Sequence, residues 1–394
     1  MPEHATTAAD AGEVVVAVRR EHLESLSGEF GIFQYARGAA PDRAHGYSTD
    51  DVARALVVDL LQARTVGWEA VASSARRSLE FLSDALDAGQ GRARDRRRSD
   101  GSWVDQIGSE GAHGRAVWAL GETIRRAGEP AMRQRARGLL IRSLPAALEL
   151  TAIRARASSM LGCDAAMRGG GLGSVLPATY RRLTAGLRRS FEAGGYVREW
   201  PWPEDSLAEE NGLPAQALLV AGSQLADADA SRTGLRVLDW LLAVQTLPDG
   251  HLSPVGCRGW WPHEGPRARF DQQPVEVTSL LLAADAAYRT TGRERYREAA
   301  ERAYAWYLGD NDLGVPVADP PRGACHDSLT RRGPDANQGA ASTLVWLLAA
   351  EKTRALRGLA RPTPALARVS GGPSSLPPAA RVTRRSPSER GPSG

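Results

Sequence analysis

Apolar residues recur at three- and four-residue steps through stretch after stretch of this chain, and no alternating strand pattern competes with them. VARALVVDLLQARTVGWEAV, RAVWALGETIRRAG, RTGLRVLDWLLAVQ and REAAERAYAWYLG are examples, filled with the strong helix formers Ala, Leu and Arg. The pattern predicts about twelve helices, over 10–26, 49–66, 68–88, 113–127, 129–142, 144–160, 174–190, 207–226, 230–245, 274–291, 293–308 and 338–357. Short links after Arg64, Ala127 and Thr291 turn neighbours into antiparallel hairpins. Six hairpins predict an all-α fold, a closed (α/α)6 toroid or barrel. An open solenoid would show a repeat of fixed period, and none is visible. The barrel is expected over 10–358, with a frayed start at 1–9. A Pro/Ser/Arg-rich tail at 359–394 is too polar to bury a core and is expected to be disordered.

Five polar segments stand at the starts of predicted helices, roughly every second one. In an antiparallel ring those starts share one face, so segments far apart in sequence can converge on one pocket. His45 and GYSTDDVARAL (from Gly46) bring His45, Tyr47, Asp50 and Asp51. DGSWVDQIGSEGAHGRAVWALG (from Asp100) brings Trp103, Asp105, Glu110, His113 and Arg115. REWPWPEDSL (from Arg198) brings Trp200, Trp202, Glu204 and Asp205. Trp260 and Trp261 precede FDQQPVEV (from Phe270), which adds Asp271, Gln272, Gln273 and Glu276. CHDSLTRRGPDANQG (from Cys325) adds Asp327, Asn337 and Gln338.

Carboxylates mixed with Trp, Asn, Gln and Arg are what a carbohydrate site needs. Glycosidic cleavage uses one protonated acid and one carboxylate, which makes Asp50, Asp51, Glu204, Asp205, Asp271 and Glu276 the catalytic candidates. An indole offers a stacking face to the apolar side of a pyranose, and amides match hydroxyls as donor and acceptor. The remaining residues are therefore substrate-binding candidates. Each has a plainer alternative. Asp50 and Asp51 suit a helix N-terminus electrostatically, with Arg54 one turn on as a partner. Trp103 suits a buried hinge, His113 a helix cap, and Asp327, Asn337 and Gln338 a turn.

Other chemistries find little footing. The net charge of +4 comes almost wholly from arginine, and the basic runs Arg92–Arg98 and Arg381–Arg390 read as a solvated loop and tail, so no nucleic-acid partner is expected. Seven histidines show no metal spacing, and RGGGLGSV at Arg168 follows no strand, so neither metal nor nucleotide cofactor is expected. No run of about 18 apolar residues appears, so no membrane partner is expected. The first residues lack a secretory pattern and three scattered cysteines make no disulfide framework, which predicts a cytoplasmic setting.

GIFQYARG…HGYSTDDVARAL, GSEGAHGRAVWALG, FDQQPVEV and AYAWYLGDNDLG followed by NQGAAST together resemble a bacterial family of α-helical toroids related to the six-hairpin glycosidases, over about Gly31–Ala350. Its members are often described as glycosyltransferases or occur beside them. The resemblance implies the barrel fold, a carbohydrate-linked role and a glycosyltransferase as partner. The chain departs from the family pattern at Gly111 and Ala341, where the family has acids, and at Ser328, where it has glycine. The expected function is glycoside hydrolysis on a glycan or glycoconjugate, with Asp205 or Glu204 as acid and Asp51 or Asp271 as base. Inversion is favoured because barrels of this kind usually invert. Two other expectations stand beside it: a non-catalytic glycan-binding or scaffold partner of a glycosyltransferase, and a sugar isomerase or epimerase using His113 and His263.

Overall fold

Ser48 and Ser109 begin two of the predicted helices in the way short hydroxyl side chains do, each accepting a hydrogen bond from a backbone N–H three residues on, at 3.1 Å. Asp227 caps a third helix, Pro130 and Pro274 occupy first turns, and Gly292 ends a fourth in the left-handed conformation. The computed structural model describes residues 19–87, 91–170, 173–193 and 199–360. The expected frayed start and, beyond Ala360, the expected Pro/Ser/Arg-rich tail lie outside the described residues.

Twelve helices form among the described residues: α1 (Glu21–Ser25), α2 (Thr49–Val66), α3 (Trp68–Asp87), α4 (Glu110–Arg126), α5 (Pro130–Leu148), α6 (Ile153–Arg168), α7 (Val175–Ala193), α8 (Gly212–Leu225), α9 (Ala228–Gln245), α10 (Pro274–Thr291), α11 (Glu294–Tyr307) and α12 (Ala340–Ala360). Each even-numbered helix packs on the next even one, and α12 returns to α2. These six make an inner ring. Helices α3, α5, α7, α9 and α11 pack outside it, and the five-residue α1 lies against α12. The inner helices are buried on nearly every side, as α2 and α10 show, whereas α9 and α11 bury one stripe. The seam between α4 and α6 is closed by Gly114, Gly121 and Gly162. A side chain at Gly121 would meet the backbone of Gly162 directly.

Besides the helix expected from 207, which starts at Gly212, and the helix expected over 10–26, which among the described residues is Glu21–Ser25, two local expectations change. The predicted break near Ser143 does not occur, and α5 runs through Pro145 to Leu148. Proline at 145 frees the carbonyl of Ile141, but Ile141 and Pro145 both lie on the exposed side of the helix, open to solvent. The interruption falls instead between Leu148 and Ile153.

The second change is a small antiparallel sheet, β1 (Phe33–Arg37), β2 (Ala40–Ser48) and β3 (Arg96–Arg97), in that order. Only the last three residues of β2 are buried, so the strand carries no alternating pattern to read. β2 runs straight into α2 and fixes how that helix enters the ring. Gly46 is required there, because its φ is 65° and the Arg97 carbonyl occupies the space of a β-carbon. The basic run expected to be solvated forms β3, with Arg97 stacked 4.1 Å over the Phe30 ring. Two-residue pairs tie down the other mouth loops: β4 (Ser206–Leu207) with β5 (Trp261–Pro262), β6 (Ala318–Asp319) with β7 (Ala324–Cys325), and β8 (Leu329–Thr330) with β9 (Gly333–Pro334).

Candidate active site

The inner helices all start on one face, and there a cavity of about 340 Å³ opens beside the sheet. Gln34 and Tyr35 come from β1, Ser48 from the end of β2, and Asp50, Asp51 and Arg54 from the first turns of α2. Asp95 precedes β3 and Arg96 begins it, Gln273 is the residue before α10, Asp327 comes from the loop before α12, Gly339 is the residue before α12 and Ala341 lies in its first turn. Of the sequence candidates, Asp50, Asp51, Gln273 and Asp327 line this cavity.

Two neighbouring carboxyls are driven in opposite directions. Asp51 is 3% exposed and accepts a hydrogen bond from Ser48 Oγ at 2.7 Å. Burial, and then the negative charge of Asp50, push its pKa up from 3.8 to about 6. Burial also works against ionised Asp50, but Arg54 and Arg115 together outweigh it and hold its pKa below the ordinary value. Asp95 and Asp327 are both raised, chiefly by burial. Ser109 Oγ donates to Asp95 at 3.0 Å, and the backbone N–H of Gly339 donates to Asp327 at 2.8 Å.

Beneath Asp50 lies a closed ring of charge. Arg54 donates to one Asp50 oxygen and approaches Glu210 at 3.2 Å. Arg115 reaches the other Asp50 oxygen through Nε at 3.1 Å and also donates to Glu210. The same Arg54 nitrogen that bonds Asp50 lies 3.8 Å from Asp51. A void of about 20 Å³ sits below the ring on the barrel axis, lined mainly by apolar side chains such as Trp118, Leu161 and Leu348.

The other sequence candidates are engaged in holding the mouth together. Asp105 accepts from the backbone N–H groups of Asp95 (2.7 Å) and Arg96 (2.8 Å), fixing the loop that presents both to the cavity. Glu110 accepts from the N–H groups of Thr151 and Ala152, both at 2.7 Å, at the start of α6. His113 is fully buried. Its Nδ1 accepts from Ala93 N–H and its Nε2–H donates to the Ser143 carbonyl, and burial lowers its pKa to about 4. Trp103 packs on Phe81 under Arg97, and Tyr47 stacks on Phe33 in the core. His45 is exposed beside Asp42.

On the α8–α10 side, Glu204 is paired with Arg154 through both oxygens (2.9 and 2.7 Å) and accepts from Trp202. Trp200 is buried between Trp240 and Trp261. Trp260 packs half-buried against the core. Asp205 is exposed, Asp271 faces Arg258 at 3.5 Å, and Gln272 is buried with Asp312 and Trp306 as partners. Glu276 is 1% exposed and accepts from Asn211 N–H (2.8 Å) and Gln245 Nε2 (3.1 Å). Asn337 accepts from Gly38 N–H, and the backbone N–H of Gln338 donates to the Gly38 carbonyl, joining the loop before α12 to the β1–β2 turn.

Sequence reasoning missed Asp95, Glu210 and the β1 residues Gln34 and Tyr35. Asp95 is one acid inside an arginine run, and Glu210 falls within a stretch whose periodicity reads as helix. Among the described residues no group of three or more His, Cys, Asp or Glu is arranged to share a metal ion, and no helix is long and apolar enough to cross a membrane.

No family model and no curated protein matches the chain. Solved structures do. A sugar epimerase from a ruminal bacterium aligns with a TM-score of 0.63 at 13% identity, over 84% of this chain and 94% of that one. A D-mannose isomerase aligns with 0.64 at 11%, over 86% and 96%. An alpha-1,6-mannanase of Salegentibacter sp. aligns with 0.56 at 9%, over 86% and 97%. At these identities the likeness is one of fold: the chain has the six-hairpin (α/α)6 barrel fold.

Proposed function

We propose that this protein is a carbohydrate-active enzyme that hydrolyses a glycosidic bond in a glycan or glycoconjugate. Asp51 serves as proton donor and Asp50 as the ionised carboxylate. The observation that carries this reading is the pair itself: two consecutive carboxyls lining one cavity, Asp51 raised to about 6 and Asp50 lowered. In this reading Asp51 gives its proton to the departing glycosidic oxygen while Asp50 supports the anomeric carbon, either by attack or through a water. The alpha-1,6-mannanase among the fold neighbours was made inactive by changing two consecutive aspartates to asparagine, which is a fact about that protein and a parallel to this arrangement.

One Arg54 nitrogen lies within reach of both carboxyls, so the pair shares one cation. Gln34, Tyr35, Arg96 and Gln273 supply donors and acceptors for sugar hydroxyls, and Asp95 and Asp327 supply acceptors. Among the described residues no histidine lines the cavity, and both ring nitrogens of His113 are engaged, which weighs against an epimerase that uses His113 and His263.

One observation favours a second reading, a non-catalytic glycan-binding partner of a glycosyltransferase. Ala341 lines the cavity at a position where the family likeness calls for an acid. The experiment that separates the two is a glycan array on the purified protein, followed by product analysis and anomer assignment by NMR. Release of a sugar that stops in Asp50→Asn and Asp51→Asn supports hydrolysis. Binding with no product from any bound glycan overturns it.

A further inference from the structure

We propose that Glu210 is a positioning residue for Asp50. It takes one arm from each of two guanidiniums and so leaves Asp50 a free face toward the cavity. This rests on the reading of Asp50 as the ionised reactive carboxylate.

The ring is balanced, with two carboxylates and two guanidiniums, and each arginine bridges both acids. Its members differ in access. The side chains of Arg54, Arg115 and Glu210 are 8%, 6% and 13% exposed, whereas that of Asp50 is 32% exposed. Asp50 is therefore the one member turned outward. Behind the ring the axis is mainly apolar, with room for about one water, so little solvent screens an unmatched charge. Remove the carboxylate of Glu210 and both guanidiniums have Asp50 as their remaining shared acid. They would close over it, deepen its stabilisation as an anion and weaken it as a nucleophile or base.

The backbone at Glu210 supports a dedicated role. Its φ is 51°, a left-handed conformation that a glutamate adopts only when its surroundings impose it. The imposing contacts are visible. The next residue, Asn211, is held by Glu276 of α10 through its N–H, by Arg154 of α6 through its side-chain oxygen, and by Ala208 within the turn. Arg154 is itself anchored by Glu204. The acids and arginine of the α8–α10 side thus clamp a turn whose strained residue reaches across the mouth to α2 and α4. Besides Glu210, the charged groups acting on Asp50 are Arg54 and Asp51 of α2, Arg115 of α4 and Asp95 of the loop before it.

The test uses the full chain and three variants, Glu210→Gln, Glu210→Asp and Glu210→Gln with Arg115→Gln, each checked for folding by thermal melting. The carboxyl carbon of Asp50 is titrated by NMR without ligand, and kcat and KM are measured against pH on a glycan the protein cleaves. Glu210→Gln is expected to move the Asp50 titration to lower pH and cut kcat by about tenfold or more, with KM changed less than about threefold. The double variant removes one charge of each sign. It is expected to return the Asp50 titration toward the parent and recover part of kcat, whereas a merely structural role predicts a further loss. If Glu210→Gln does not fold, Glu210→Asp gives the reading, with the same direction and a smaller size. An unmoved Asp50 titration, or a double variant worse than Glu210→Gln in both readouts, overturns the proposal. A shifted titration in a protein that cleaves no glycan supports the positioning and sinks the hydrolase reading.

Discussion

The two sides of the barrel mouth look alike in sequence and behave differently in the fold. On the α2–α12 side, Asp50, Asp51, Asp95 and Asp327 line an open cavity. On the α8–α10 side, Glu204 in the loop before α8 and Glu276 in the first turn of α10 are bound by Arg154, Trp202, Asn211 and Gln245. Both sides are rich in acids, and one also in tryptophan. What separates them is the cavity: the α2–α12 acids line it even where they are paired, as Asp50 is with Arg54 and Arg115, whereas Glu204 and Glu276 do not.

The comparison can be broken most directly at Asp51. Asp51→Asn should lower turnover by about a thousandfold or more, and parent activity should fall as pH rises through about 6, because the donor must carry its proton. A pH-rate profile on any cleaved glycan checks both. On the opposite side, Glu276→Ala should cost about 2–4 kcal/mol of stability, since the Asn211 N–H and Gln245 Nε2 lose a buried acceptor. Denaturant unfolding measures it, and a loss under about 1 kcal/mol would contradict the clamp.

A third effect sharpens the contrast through stability alone. The pKa of Asp51 is raised on folding, so its contribution is fully present below about 4 and is lost as pH climbs through about 6. Asp51→Asn should flatten that slope and stabilise the protein at pH 7 by about 1–3 kcal/mol. Thermal melts across pH read this directly. An unchanged slope would mean that Asp51 is not the buried, repelled acid described here. Glu204→Gln is expected to lower stability by about 1 kcal/mol, since its pair with Arg154 is partly exposed, and to leave turnover within about threefold. Asp205→Asn, at an exposed position, should change turnover by less than about twofold. A large loss at Asp205 would return the chemistry to the α8–α10 side.

The ring of helices was legible because its physics is local. Apolar spacing and the short links after Arg64, Ala127 and Thr291 each mark an element where it stands. The β1–β2 hairpin was not, because most of β2 is exposed and carries no alternation. Asp50, Asp51, Gln273 and Asp327 could be picked out because acids and amides at helix starts share one face of such a barrel. Glu210 could not. Its turn is held left-handed by Asn211, Glu276 and Arg154, partners from three segments whose meeting no local pattern records. The roles of His113 and Glu276 were hidden for the same reason: a polar residue near a mouth reads the same whether it faces a ligand or a neighbouring carbonyl.

The glycine seam between α4 and α6 has a consequence for how such a protein can change. With backbone against backbone at Gly121 and Gly162, that interface has no side chain left to trim and no slack to take up. It is a datum edge, and Arg115 and Arg154 are mounted on its two sides. Adaptation to a wider or narrower guest must therefore come from the loops and the β1–β2 hairpin. A single added methyl at Gly121 would wedge both arginines off their marks at once.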